Sequence, residues 1–296
     1  MAVEEDPRDV AFAVAYRILG SVSEAEDVAQ EALLRLHRTS DVVNRAAFVT
    51  TVATRLAIDV LRSARSQREI YVGSWLPEPL VDAEDEATRR VEEDETISLA
   101  FLVLLERLGP VERAVLVLRD AFDYSFAEIA TVVDRTDANC RQIHGRARSR
   151  IEDDRPRFDA DPVQRRALAD RFVAAARDGD LAGLVALLAA DVVLVGDGGG
   201  IARSIPRPMV GADRVARALA GFWSTAADLG IRLAPVRVNG QPGFRATAPD
   251  GGTLNVLAID VSGGRIVRLH SMLNPEKLAH LGPTSTLALR PSRRGV

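Results

Sequence analysis

The sequence predicts a multidomain chain in which two all-α units precede an α+β unit shaped as a cone or half-barrel. Apolar residues keep helical spacing through residues 9–69 and again through 97–151. The stretch between them is acidic, carries Pro77 and Pro79, and has no period. From residue 231 the pattern changes to short strand-like runs separated by Asn239-Gly240, Pro249-Asp250-Gly251-Gly252 and Ser262-Gly263-Gly264, which are hairpin signals. At 296 residues and 47% hydrophobic content, the chain has room for two or three cores.

The first unit reads as three helices. Its middle helix is expected to open with a capping box from Ser23 to Glu26. Ala25, Val28, Ala29, Ala32, Leu33 and Leu36 share one face, and Glu24, Asp27, Glu31, Arg35 and Arg38 the other. The next helix, Ala47 to about Arg65, turns Phe48, Val49, Val52, Ala53, Leu56 and Val60 inward, leaves Arg55, Asp59, Arg62 and Arg65 outside, and runs into Arg68. Residues 71–95 hold Glu78, Asp82, Glu84, Asp85, Glu86, Glu92, Glu93, Asp94 and Glu95 against Arg89 and Arg90, a local net charge of -7, and read as a linker. Trp75-Leu76 is the exception. Leaving both side chains in water forfeits roughly 2 kcal/mol or more of burial energy, so the pair is expected to dock.

The second helical unit runs from an apolar helix (Ile97–Leu108) through a Gly109-Pro110 break and a helix (Val111–Phe122) into a hairpin. Phe126, Ile129, Ala130 and Val133 form one stripe, the chain breaks at Asp134-Arg135, and Ala138, Ile143, Ala147 and Ile151 form a second. Asn139, Arg141, Gln142, Arg146 and Arg148 then face outward, as on a helix seated in a DNA major groove. An ordinary hairpin with a solvated arginine face would give the same pattern. Beyond residue 163 come helices near 163–178, 180–188 and 211–227, a strand Val192–Val195, the turn Asp197-Gly198-Gly199-Gly200, and strands near 231–238, 243–248, 253–261 and 265–272.

Composition narrows the function. A single cysteine, Cys140, rules out an internal disulfide framework and reads as structural. The amino terminus is acidic, and no apolar run approaches the roughly 18 residues of a membrane span, so a cytoplasmic location without membrane contact is expected. Lys277 is the only lysine among 38 basic residues, a ratio ascribed to GC-rich codon usage. The net charge of -4 suits no protein that finds DNA unaided. The window 136–150, however, sets Asp137 against Arg141, Arg146, Arg148 and Arg150, a net of +3. A modestly basic reading head on an acidic chain suggests a protein carried to DNA by a larger partner.

With both helical units placed, the chain resembles the extracytoplasmic-function sigma factors of bacterial RNA polymerase. Residues 15–31 (AYRILGSVSEAEDVAQE) resemble their region 2 core, residues 47–65 (AFVTTVATRLAIDVLRSAR) the helix that reads the minus-ten element, and residues 97–151 their region 4. Trp75-Leu76-Pro77-Glu78-Pro79, Asp197-Gly198-Gly199-Gly200 and Asn274-Pro275-Glu276-Lys277-Leu278 are similar to motifs of the subgroup with a fused SnoaL-like extension. Phe48 stands where a tryptophan is usual, Ile201 where a basic residue often follows the glycines, and Arg55 where several relatives carry a base-reading residue.

The resemblance implies promoter-specific initiation with core RNA polymerase and promoter DNA as partners, no cofactor, no metal and no catalytic residue. It implies sigma region 2 at 1–70, the linker at 71–95, region 4 at 96–155, the SnoaL-like extension at 162–285 and a flexible tail at 286–296. Glu24, Asp27, Glu31 and Arg35 would meet polymerase. Arg55, Asp59, Arg62, Arg65 and Arg68 would contact the minus-ten element, and Thr136, Asn139, Arg141, Gln142, Arg146 and Arg148 the minus-thirty-five element. Trp75, Leu76, Pro77, Asp197, Gly198, Gly199, Asn274, Pro275 and Lys277 would form a regulatory interdomain contact. The alternative is a transcription regulator whose cone binds a small ligand, or retains isomerase- or cyclase-like activity with Asp191, Asp197, Asp260 or His270 as a base inside the cup.

Overall fold

A computed structural model describes residues 6–69, 71–83, 98–152 and 162–287; the side chains of 64–69, 83, 152 and 162 lie outside that description. The acidic run 84–95 and the tail from 288 therefore fall outside the described residues. The chain divides into two compact units, one of residues 1–70 with 101–155, the other of residues 71–100 with 156–296.

The first unit starts with α1 (Pro7–Leu19), α2 (Val22–Arg38) and α3 (Arg45–Glu69). Gly20, left-handed at φ 69°, stops α1, and its N–H closes on the Tyr16 carbonyl. Ser21, in extended conformation, then caps α2, its hydroxyl accepting the Glu24 N–H at 3.3 Å. The expected cap at Ser23 is thus two residues late. The Ser-x-x-Glu pattern occurs twice in overlapping frames, and the turn at Gly20 decides which one starts the helix. Ala11, Ala15, Ala25, Ala29, Ala32, Ala53 and Ala57 are almost wholly buried, so small side chains let the three helices approach closely.

The buried face of α3 is also rotated from the expected one. Val49, Ala53 and Ala57 are buried, but so are Thr50, Thr54, Ile58 and Leu61, while Val52, Leu56 and Val60 are only half-buried. The reason is tertiary: α3 packs against α5 (Pro110–Asp120) and α6 (Phe126–Val133) as well as against α1 and α2. The apolar helix α4 (Leu99–Leu105) precedes them, and α7 (Asp137–Glu152) follows. Ser125 and Glu128 close a reciprocal capping box on α6, and Asp134, left-handed at φ 54°, ends it.

The second unit is a seven-stranded sheet in the order β1-β4-β5-β6-β7-β2-β3. The strands are β1 (Val81–Ala83), β2 (Leu188–Asp197), β3 (Met209–Val210), β4 (Arg232–Val238), β5 (Gln241–Thr247), β6 (Thr253–Ser262) and β7 (Arg265–Met272). Among the described strand pairs, β2 and β7 alone run in parallel. Asn239-Gly240 and Gly263-Gly264 make the two-residue turns that their positive φ angles allow. Helices α8 (Pro162–Arg177), α9 (Leu181–Leu187) and α10 (Ala212–Asp228) cover one face, burying Phe172, Leu184, Val215, Leu219 and Trp223 against Leu257, Ile259 and Leu269. The short helix α11 (Pro275–Leu278) packs against β6.

Strand β1 was not expected. Val81, Asp82 and Ala83 pair with Val238, Arg237 and Val236, so the first half of the supposed linker extends the sheet. An edge strand offers a row of unpaired backbone groups, and β4 takes this segment whatever its acidity.

Candidate DNA-reading helices and the buried linker clamp

Helices α6 and α7 form a helix-turn-helix. Arg141, Gln142, Arg146 and Arg148 are exposed on α7, and Asn139 is half-buried. The Thr136 hydroxyl accepts the Asn139 N–H at 3.2 Å and so serves as the helix cap. Cys140, not Ala138, fills the inward position beside Ile143, Ala147 and Ile151; Ala138 is exposed. Burial pushes the Cys140 thiol above its ordinary pKa, in keeping with a structural role. Arg141 lies back along its own helix, bidentate on Asp137 at 2.6 and 3.2 Å, with its guanidinium 4.8 Å from the Phe126 ring centre. His144 reaches Asp120 at 2.7 Å and ties α7 to α5.

On α2, Asp27 and Arg35 are exposed, Glu24 and Glu31 half-buried, and Arg35 pairs with Glu31 at 2.8 Å. On α3, Asp59 and Arg62 form an exposed pair at 3.1 Å; the side chains of Arg65 and Arg68 lie outside the described residues. Arg55 departs from expectation. Its Nε and Nη2 donate to the Val132 and Thr131 carbonyls, both at 2.9 Å, so in this conformation the guanidinium is committed to protein rather than open to a DNA strand. Those are carbonyls of the last turn of α6, which have no intrahelical N–H and sit at the negative end of the helix dipole. Sequence reasoning missed the converse contact. Arg113 of α5, only 3% exposed, donates to the Ile18 carbonyl in the last turn of α1 at 2.9 Å and to Glu106 at 2.6 Å. Each helical module therefore caps a helix end of the other with an arginine.

In the second unit the three motifs converge on one buried carboxylate. Because β2 and β7 run in parallel with Asp197 opposite Met272, the 197–200 turn and the 274–278 segment leave the sheet side by side. Asp197 is fully buried and accepts four hydrogen bonds: Tyr71 O–H at 2.5 Å and Gly199 N–H at 3.0 Å on Oδ1, Leu76 N–H at 2.8 Å and Lys277 Nζ at 2.7 Å on Oδ2. That satisfies every acceptor site the carboxylate has. Lys277 Nζ also donates to the Leu76 carbonyl and lies 4.0 Å from the Trp75 ring centre and 4.8 Å from that of Tyr71. Burial first and the Asp197 carboxylate second push the Tyr71 hydroxyl far above its usual pKa range, so it remains a donor. Asn274 caps α11 with its side-chain oxygen and gives its amide to Tyr71 at 3.0 Å; Pro275 takes the first helical position.

Leu76, Pro77 and Pro79 are buried and Trp75 is half-buried. Gly199 and Gly200 have positive φ, and a Cβ on either would press on Asn274 or Val72. Gly198 sits against the Ala202 carbonyl in the same way. Asn239 extends the grip, exchanging hydrogen bonds with the Leu80 backbone, and His280 reaches the Pro79 carbonyl. Ile201 carries no charge, and the cation in contact with Asp197 is the Lys277 ammonium. The lone lysine was therefore a signal: one lysine among arginines marks a site where a compact ammonium with three donors fits and a planar fork does not.

The cup holds a cavity of about 420 Å³, but not the expected bases. Asp191 is exposed and Asp197 belongs to the clamp. Asp260 and His270 are paired at 2.9 Å, a partnership across strands that sequence proximity could not reveal. Leu257 and Ser271 face the cavity, so strand alternation sends Asp260 and His270 to the opposite face. Among the described residues no group of three or more side chains could hold a metal ion, and no helix is long and apolar enough to cross a membrane.

Comparison with known proteins agrees with this architecture. Residues 7–67 match the Sigma-70 region 2 family, residues 98–151 the Sigma-70 region 4 family and residues 169–269 the SnoaL-like domain family. Fold and motifs thus define a Sigma-70-type transcription protein with a fused SnoaL-like domain. The chain is 35% identical to the ECF RNA polymerase sigma factor SigJ of Mycobacterium tuberculosis over 96% of its own length and 94% of that protein's. It is 32% identical to the probable ECF RNA polymerase sigma factor SigI of the same organism, over 90% of each. The crystal structure of M. tuberculosis SigJ superposes with a TM-score of 0.75 at 32% identity, covering 92% of this chain and 95% of that one. The chain belongs to the extracytoplasmic-function sigma factors, and promoter-specific transcription initiation is its function.

Proposed function

We propose that the SnoaL-like domain regulates this sigma factor in cis by gripping residues 71–83, and that both helical modules must let go of each other before they read a promoter. The buried Asp197–Lys277 pair carries the reading, because it holds both the N–H and the carbonyl of Leu76. Linker and extension are then one folded body, and any movement of the linker exposes a buried charge. The arginine caps support the second half: Arg55 belongs to α3, the helix that would meet the minus-ten element, and Arg113 fastens α5 to the end of α1. Core polymerase would bind the outward face of α2 through Glu24, Asp27, Glu31 and Arg35 and carry the protein to cytoplasmic DNA. Arg62, Arg65 and Arg68 supply strand phosphate contacts and Asp59 lies among them, while Arg55 joins only after leaving α6.

Asn139, Arg141 and Gln142 occupy the first turns of α7, where amide and guanidinium groups pair bidentately with adenine and guanine; Thr136, Arg146 and Arg148 would position the backbone. Arg141→Ala is expected to weaken specific promoter binding by about 1 to 3 kcal/mol and to relax preference at one base. Loss of about one unit of salt slope with preference intact would instead make it a phosphate contact. Run-off transcription with core polymerase tests the whole reading: initiation from a subset of promoters is expected, and Asp197→Ala should change its level. Equal initiation by both proteins would remove the clamp from regulation. A catalytic role for the cone has little support, as Arg203 is the only ionisable residue among those lining the cavity.

A further inference from the structure

The cavity in the cup has a lopsided chemistry. Leu219, Phe222 and Trp223 of α10 and Phe244 and Leu257 of the sheet make its wall, and no acidic side chain lines it. Polar groups interrupt that wall: Arg203, Ser204, Asn255, Ser271 and the Trp223 indole nitrogen. Asn255, 7% exposed, accepts the Ser271 hydroxyl at 3.2 Å, and its amide nitrogen has no partner among the described residues. Arg203 is exposed, lines the cavity and has no carboxylate paired to it among the described residues. An amide donor at the wall without a protein acceptor calls for one, as do the Ser204 hydroxyl and Trp223 Nε1, both buried and unpartnered among the described residues, and an unpaired guanidinium beside an apolar cavity calls for one anionic group.

The cavity also touches the clamp. Gly196 and Leu273 form part of its wall, and the next residue in each case, Asp197 and Asn274, holds the linker. A Cβ on Gly196 would collide with Ser204 and Ile205, so the end of β2 that leads into Asp197 packs directly against the 203–206 loop.

We propose that this cavity is an effector site for an apolar monocarboxylate that carries a hydroxyl or keto oxygen along its body, and that its occupancy favours the clamped linker. The apolar body fills the cup, its oxygen accepts from Asn255 and its carboxylate meets Arg203. A ligand favours the state whose site it fits, here the state in which Asp197 and Asn274 already hold residues 71–76. The effector half rests on the clamp reading of the preceding section; the binding half does not.

Two single-tryptophan forms of the full chain separate the halves, because the sequence contains only Trp75 and Trp223. Trp75→Phe leaves Trp223 reporting on the cavity, and Trp223→Phe leaves Trp75 reporting on the clamp. Titration with 12-hydroxydodecanoate is expected to give a saturable change in Trp223 emission, with dodecanoate and the hydroxy-acid methyl ester each binding several-fold more weakly. Arg203→Ala should weaken the acids at least tenfold and leave the ester unchanged. Ala218→Phe, which fills the cavity from α10, should abolish binding while thermal unfolding stays cooperative. No saturable change up to millimolar ligand, or binding indifferent to both substitutions, overturns the site. Binding that leaves acrylamide quenching of Trp75 unchanged overturns the effector role, whereas a Trp75 already fully quenchable without ligand overturns the clamp reading itself.

Discussion

Lys277→Ala is expected to destabilise the second unit by about 3 to 5 kcal/mol, because it strands the fully buried Asp197 carboxylate without its cation. The Leu76 carbonyl loses its donor in the same step, and Trp75 loses the ammonium over its ring. Urea unfolding followed by tryptophan emission should show an earlier transition, with Trp75 more quenchable before unfolding begins. Lys277→Arg should recover only part of the loss, since a planar guanidinium cannot point donors at a carboxylate and a carbonyl between two aromatic faces as a compact ammonium does. An unfolding midpoint unchanged by Lys277→Ala would mean that the pair contributes nothing net.

Arg113→Ala is expected to have the second largest effect, about 2 to 3 kcal/mol on the first unit. The lower figure reflects Glu106, which keeps 21% of its side chain in water and is less stranded by the loss. Arg55→Ala removes a more exposed contact, and its consequence should appear in function. If the cap on α6 restrains α3, this variant raises core-dependent initiation; a fall in initiation at unchanged stability would assign Arg55 to the promoter instead. Reading stability and initiation on both variants separates restraint from DNA contact.

The helices and hairpins were legible because they rest on local rules. The period of apolar residues, Gly20, Ser125 with Glu128, and Asn239-Gly240 each act within a few residues, and the sequence displays them directly. Where two local readings competed, as for Ser21 and Ser23, the neighbouring left-handed glycine decided. The motifs Trp75–Pro79, Asp197–Gly200 and Asn274–Leu278 were legible as motifs, but not as chemistry. Tyr71 stood outside all three, and the lone lysine looked like an accident of codon usage.

The sequence by itself determined the order of the units, the element types, the arginine face of α7 and the need of Trp75-Leu76 for cover. Only the tertiary structure decided what each polar side chain does. Asp197 becomes the hub because the parallel pairing of β2 and β7 brings two distant turns to one point. Arg55 caps α6 because α3 packs against it, and Asp260 finds His270 across a strand boundary on the side away from the cup. The physical reason is range: hydrophobic period and turn geometry act over neighbours in the chain, whereas a buried charge is satisfied by whichever donors the fold delivers, here Leu76, 121 positions away in sequence, and Tyr71, 126 away.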